Sequence, residues 1–208
     1  MPASPPKFKT RQRFEDQFHA RELNFACYCN IPLLRSQRAR GWVLEAVQAA
    51  QIKHAFALWA YCVMPSHVHM LVLPARGTSA SSILQSIKQS VARKAIAWIR
   101  INAPTFLPRL QSPRPDGSTS TRFWQRGGGF DRNLWSPHAI WDMIDYIHMN
   151  PVRESLCATP LDWPHSSARA FLKGEAPQLP LDLTHLPQDP RQRGLQNQRP
   201  CPSSQSLA

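Results

Sequence analysis

Apolar residues fall on alternate positions at the start of the chain. Leu23, Phe25, Cys27 and Cys29 share one face of an extended segment, which predicts a strand over 23–30. The period then changes. Trp42, Val43, Ala46, Val47 and Ala50 recur at helical spacing behind Ser36, predicting a helix over 37–52. Two apolar runs, 54–63 and 67–73, are separated by Met64-Pro65-Ser66 and predict two strands joined by a turn. A longer helix is predicted over 80–101, capped near Ser79, with Ile83, Leu84, Ile87, Val91 and Trp98 inward and Lys88, Arg93, Lys94 and Arg100 on its polar face. A proline- and serine-rich excursion, 108–121, reads as a polar loop, and 122–126 as a returning strand. Strands and helices in this order predict an α+β fold, a ferredoxin-like, RRM-like antiparallel sheet with helices packed on it.

The last helical pattern has both ends marked. Ser136 suits the N-cap, Pro137 the first helical position, and Ile140, Met143, Ile144 and Ile147 form an apolar stripe, with Pro151 closing the run. Tyr146 and Asn150 sit one turn apart on a single face. On the strand 67–73, His67 and His69 also share a face, because side chains at i and i+2 point the same way. Paired imidazoles on a rigid strand are ready metal ligands, a carboxamide oxygen can complete such a set, and a phenol can attack phosphorus.

These residues, with the phrases around them, resemble a known family. VMPSHVHMLV, FWQRGGGFDRNLW, YIHMNPVRESL and DWPHSSARAFL occur in the order seen in the HUH endonucleases, named for His-hydrophobic-His, and most narrowly in the REP-associated tyrosine transposases. The resemblance covers roughly residues 22–172, leaving 1–21 as a basic N-terminal tail and 173–208 as a Pro/Gln/Arg-rich tail expected to be disordered. It implies the HUH endonuclease fold and a metal-dependent single-stranded DNA endonuclease and strand transferase. In that activity Tyr146 is the nucleophile, a 5′-phosphotyrosine is the intermediate, and His67, His69 and Asn150 hold Mg²⁺ or Mn²⁺. The implied substrate is a hairpin formed by repetitive palindromic DNA, and the implied assembly is a monomer or a homodimer. The glycine run 127–129 and the loop 108–121 depart from the family pattern.

Composition fits a polyanionic partner. Lys and Arg number 25 against 13 Asp and Glu, a formal charge of +12. Arg122, Arg126, Arg132 and Arg153 flank the site segments and Trp124 interleaves with them, the combination that holds single strands by charge and stacking. Five cysteines without disulfide-like spacing, no secretory signal and no membrane-length apolar run point to a reducing cytosol; the resemblance implies a bacterial protein associated with the nucleoid.

Other readings of the same residues stay open at this point. A basic sheet that grips DNA or RNA hairpins without catalysis, its metal site vestigial, shares every compositional feature. Cys27 and Cys29 with His67 and His69 would make a zinc site. Asn150 before Pro151 would cap the next helical turn. His148, two positions from Tyr146, points away from it and reads as a core or solvated histidine.

Overall fold

A computed structural model describes residues 19–127 and 129–191. Strand β1 (Ala20–Ala26) is followed by helix α1 (Gln37–His54), strands β2 (Ala57–Val63) and β3 (His67–Leu73) and helix α2 (Ala80–Asn102). Strand β4 (Gln111–Pro113) and strand β5 (Thr119–Thr121) form a small separate hairpin. Strand β6 (Phe130–Leu134), helix α3 (Pro137–Arg153) and helix α4 (Ala168–Lys173) complete the order. The main sheet runs β2-β3-β1-β6 with every neighbouring pair antiparallel, which is the ferredoxin-like arrangement expected. No helix among the described residues is long and apolar enough to cross a membrane.

The three expected caps form: Ser36, Ser79 and Ser136 side chains accept from the backbone N–H of Ala39, Ser82 and Ala139 respectively. The sheet divides the interior into two layers. Leu23, Phe25, Leu58, Tyr61, Val68, Met70 and Val72 pack under α1 and α2, while Trp59, Cys62, Leu71 and Leu73 pack under Ile140, Met143, Ile144 and Ile147 of α3. A bulge between Leu58 and Ala60 shifts the alternation in β2, so Leu58 and Tyr61 reach the same layer.

Several expectations are corrected. The first strand ends at Ala26, and Cys29 leaves its face because residues 28–30 turn as a 3₁₀ helix with Cys29 at φ 50°. Residues 122–126 are not a strand; they meet the end of β1 through a bridge from Trp124 to Cys27 and the Gln125 N–H donating to the Ala26 carbonyl. The fourth strand is β6, which polar FDRNL did not advertise. Between them Gly129 adopts φ +79°, and a Cβ there would lie 2.3 Å from the Asn24 carbonyl oxygen, so glycine is required for the close crossing over β1. The loop 108–121 contains the β4–β5 hairpin. Helix α3 continues through Pro151 to Arg153 instead of stopping there.

The C-terminal tail is shorter than expected. Residues 174–191 pack back onto the domain: Leu179 is buried with its N–H donating to the Tyr61 hydroxyl, Asp182 N–H donates to Leu58, and Trp141 Nε1 donates to the Pro187 carbonyl. Their composition is polar, but Leu179 and Leu181 pack against the layer under α1 and α2, and Leu186 against the layer under α3. Residues 1–18 of the expected N-terminal tail and 192–208 lie outside the described residues, and Ala20 and Arg21 already belong to β1.

Candidate active site

β3 carries the imidazoles on the face that α3 covers. Its register sets His67 opposite Ala26 and His69 between Asn24 of β1 and Cys62 of β2. The two rings stand edge to face with centroids 4.8 Å apart. α3 lays its apolar stripe over β2 and β3, and that packing brings the adjoining stripe of Tyr146, Asn150, Arg153 and Glu154 over the first residues of β3. Tyr146 reaches within 5.6 Å of the His69 ring, centroid to centroid, at 84°. It remains 37% exposed.

Asn150 is buried and its Nδ2 donates to the Tyr146 carbonyl oxygen at 3.1 Å. A carbonyl needs a donor, so that contact assigns the nitrogen and leaves Oδ1 as the atom that acts on the imidazoles. The Asn150 side chain interacts with both rings and opposes the fall in their pKa. It does not cap a following turn, since the helix continues past it.

Burial dominates the electrostatics. It pushes His69 down to about 3, with the neighbouring His67 ring adding to the shift, and it lowers His67 despite the opposing pull of the Glu154 carboxylate. Both imidazoles are therefore neutral at pH 7, with a lone pair each available for a cation. His67 Nδ1 lies 3.1 Å from Ser66 Oγ, and its Nε2 lies 3.7 Å from Glu154 Oε1. The Arg153 guanidinium sits 4.9 Å from the centre of the Tyr146 ring.

The donor set suits a divalent ion: two neutral imidazoles and an amide oxygen converge from a strand and a helix. Among the described residues no cluster of three or more His, Cys, Asp and Glu side chains is placed to hold a metal ion. The zinc alternative fails on topology. Cys27 is buried in the layer under α1 and α2, on the opposite face of the sheet from His67 and His69, and Cys29 is exposed.

The residues expected to grip DNA divide. Arg126 and Arg132 are exposed, and Arg132 stands opposite Glu22 in register, on the same face as His69. Arg153 is exposed beside Tyr146, whereas Arg122 is half-buried at the β4–β5 side, its N–H bonded to Leu110. Trp124 is a correction: it is buried against Phe25 and Phe123, its Nε1 donates to the Lys88 carbonyl, and no face is left for a base. Trp135 is exposed, its ring tilted 49° to that of His19 with centroids 3.8 Å apart. His148 is structural, buried and bonded to Ser167 Oγ at 2.8 Å. Ser66 and Glu154 were missed, although Glu154 follows Asn150 at helical spacing and Ser66 adjoins His67.

The model of the family described as "Transposase IS200 like" matches residues 31–101, which hold both histidines. The chain resembles the REP-associated tyrosine transposases. The "Putative REP-associated tyrosine transposase" of Haemophilus influenzae is 28% identical over 123 residues, 59% of this chain and 64% of that protein, so the match spans less than two thirds of that relative. A solved structure of a REP-associated tyrosine transposase bound to a REP hairpin superposes with a TM-score of 0.62 at 18% identity, covering 84% of this chain and 92% of that one. At that identity the likeness is one of fold.

Proposed function

We propose that this chain is a metal-dependent single-stranded DNA endonuclease and strand transferase that acts on hairpin-forming repeats through a 5′-phosphotyrosine on Tyr146. One observation carries the reading: a half-exposed phenol stands 5.6 Å from His69, although 77 positions separate the two in the chain. A tyrosine placed only for packing would bury its ring, and a structural histidine pair would not need an amide turned towards it.

His67, His69 and Asn150 Oδ1 are the donors that would hold Mg²⁺ or Mn²⁺, with imidazole favouring Mn²⁺. When bound, such an ion supplies charge neutralisation at the non-bridging oxygens of a phosphodiester. The chain's own groups do the rest. Tyr146 Oη attacks phosphorus, the phenolic proton leaves to solvent, and the bond to the 3′ oxygen breaks, releasing a 3′-hydroxyl as it takes up a proton. The Arg153 guanidinium, 4.9 Å over the ring, holds the phenol in place and offers a cation to the incoming phosphate. Because the phosphotyrosine keeps a phosphodiester bond, a 3′-hydroxyl can later displace Tyr146 and reseal the strand without ATP. Positioning on a strand and a packed helix supplies much of the acceleration.

Arg126, Arg132 and Arg153 form the basic margin that receives the backbone of the strand. On this reading the protein works in the cytoplasm on the nucleoid, as a monomer or homodimer. The test is a gel assay for a covalent protein–DNA adduct, using labelled single-stranded hairpins from the gene's own flanking repeats, with and without Mn²⁺. Adduct that requires the metal, Tyr146 and His67 supports the transferase. Tight hairpin binding with no adduct under any metal rejects it in favour of a non-catalytic binding module.

A further inference from the structure

Glu22 lies on β1 between Arg21 and Leu23, and its side chain points to the α3 face of the sheet, as do Asn24 and Ala26. Only 5% of the residue is exposed. A carboxylate buried this far is costly unless a cation or a hydrogen-bond donor compensates it. Its Oε1 lies 4.0 Å from Nδ1 of His69. That nitrogen is itself buried and makes no hydrogen bond, while the ring is 1% exposed. A buried acceptor and an unsatisfied buried ring nitrogen thus face each other across a gap about 1 Å longer than a hydrogen bond.

We infer that Glu22 is a positioning residue of the site: its carboxylate accepts the Nδ1–H of His69, fixes that tautomer, and leaves Nε2 as the ring's lone-pair donor. The inference rests on the proposed metal site for its purpose and on the Glu22–His69 geometry for its substance. His67 shows the same arrangement with a weaker acceptor, its Nδ1 being beside Ser66 Oγ. Both imidazoles would then present the same nitrogen, each oriented by an outer partner. The three proposed donors are neutral, and Glu22 is a buried carboxylate beside one of them. Arg132 stands opposite Glu22 on β6 and is exposed to solvent.

The experiment has two readouts that do not depend on cleavage. Nitrogen-15 NMR of the metal-free native protein reports which ring nitrogen of His69 carries the proton, and calorimetric titration with Mn²⁺ compares native protein, Glu22→Gln and His67→Ala. Nδ1 protonation in the native protein, with Mn²⁺ binding about 10- to 100-fold weaker in Glu22→Gln and metal-free hairpin affinity unchanged, is the expected result. Protonation of His69 on Nε2, or Mn²⁺ affinity unaltered in a folded Glu22→Gln protein, overturns the inference. Absence of Mn²⁺ binding by the native protein, or equal binding by His67→Ala, defeats the metal-site reading instead, and the ring tautomer still decides whether Glu22 orients His69.

Discussion

The phenol ring of Tyr146 meets the imidazole of His69 edge-on, 5.6 Å between centroids and 84° between planes. Tyr146 is nonetheless 37% exposed. Tyr146→Phe should therefore abolish covalent adduct while hairpin affinity stays unchanged and stability shifts by less than about 0.5 kcal/mol. Electrophoretic adduct assays, filter binding and thermal melts on the same preparation check the three parts.

Asn150 has two tasks, one in each half of its amide. Asn150→Ala removes the Nδ2 contact to the Tyr146 carbonyl and the oxygen facing the imidazoles. Stability should fall by about 0.5–1.5 kcal/mol, the usual net loss for one hydrogen bond. Adduct formation should need a higher Mn²⁺ concentration and recover partly when Mn²⁺ is raised. An unchanged Mn²⁺ dependence would remove Asn150 from the ligand set.

Arg153 lies over the Tyr146 ring, 4.9 Å from its centre. Arg153→Gln should slow single-turnover adduct formation roughly tenfold, in keeping with a cation–π contribution of about 1 kcal/mol or more to holding the ring in place. An unchanged single-turnover rate with weaker hairpin binding would make Arg153 a phosphate contact only.

Acid should destabilise the metal-free protein through its buried histidines. Burial lowers His69 to about 3 and His148 to about 4, against about 6.5 when unfolded. Between those values the unfolded chain binds protons that the folded chain refuses. Stability should therefore be flat above about pH 6.5 and fall as pH drops towards 4, by about 1.4 kcal/mol per pH unit for each such group. Urea melts across that range measure the slope, and His148→Gln should reduce it.

Gly129→Ala tests the crossing over β1. Its φ is +79°, and the new Cβ would lie 2.3 Å from the Asn24 carbonyl oxygen, beside the strand that flanks His69. A loss well above 1 kcal/mol is expected. Gly117→Ala, also at positive φ but with open space around it, should cost about 1 kcal/mol. Chemical denaturation of both variants gives the comparison.

What local chemistry can state was legible in the chain. Capping involves residues three apart, so Ser36, Ser79 and Ser136 read correctly as helix starts. Alternation in β3 put His67 and His69 on one face, and helical spacing put Tyr146 with Asn150. Trp124 misled because an aromatic among arginines looks the same whether it faces a core or a base. Pro151 misled because proline disfavours a helix interior without forbidding it where packing holds the turn, as it does for this buried residue.

The sequence by itself determined which side chains share an edge, because periods of two and 3.6 residues are local properties of the backbone. Only the tertiary structure decided which edges meet. The burial of α3 over β2 and β3 brings Tyr146 to His69. The antiparallel pairing of β1 with β3 sets Glu22 beside His69 and sends Cys27 to the opposite layer. The return of residues 174–191 to the sheet was equally unreadable. Such contacts join residues far apart in the chain, and their free energy comes from surfaces that exist only once the sheet has formed.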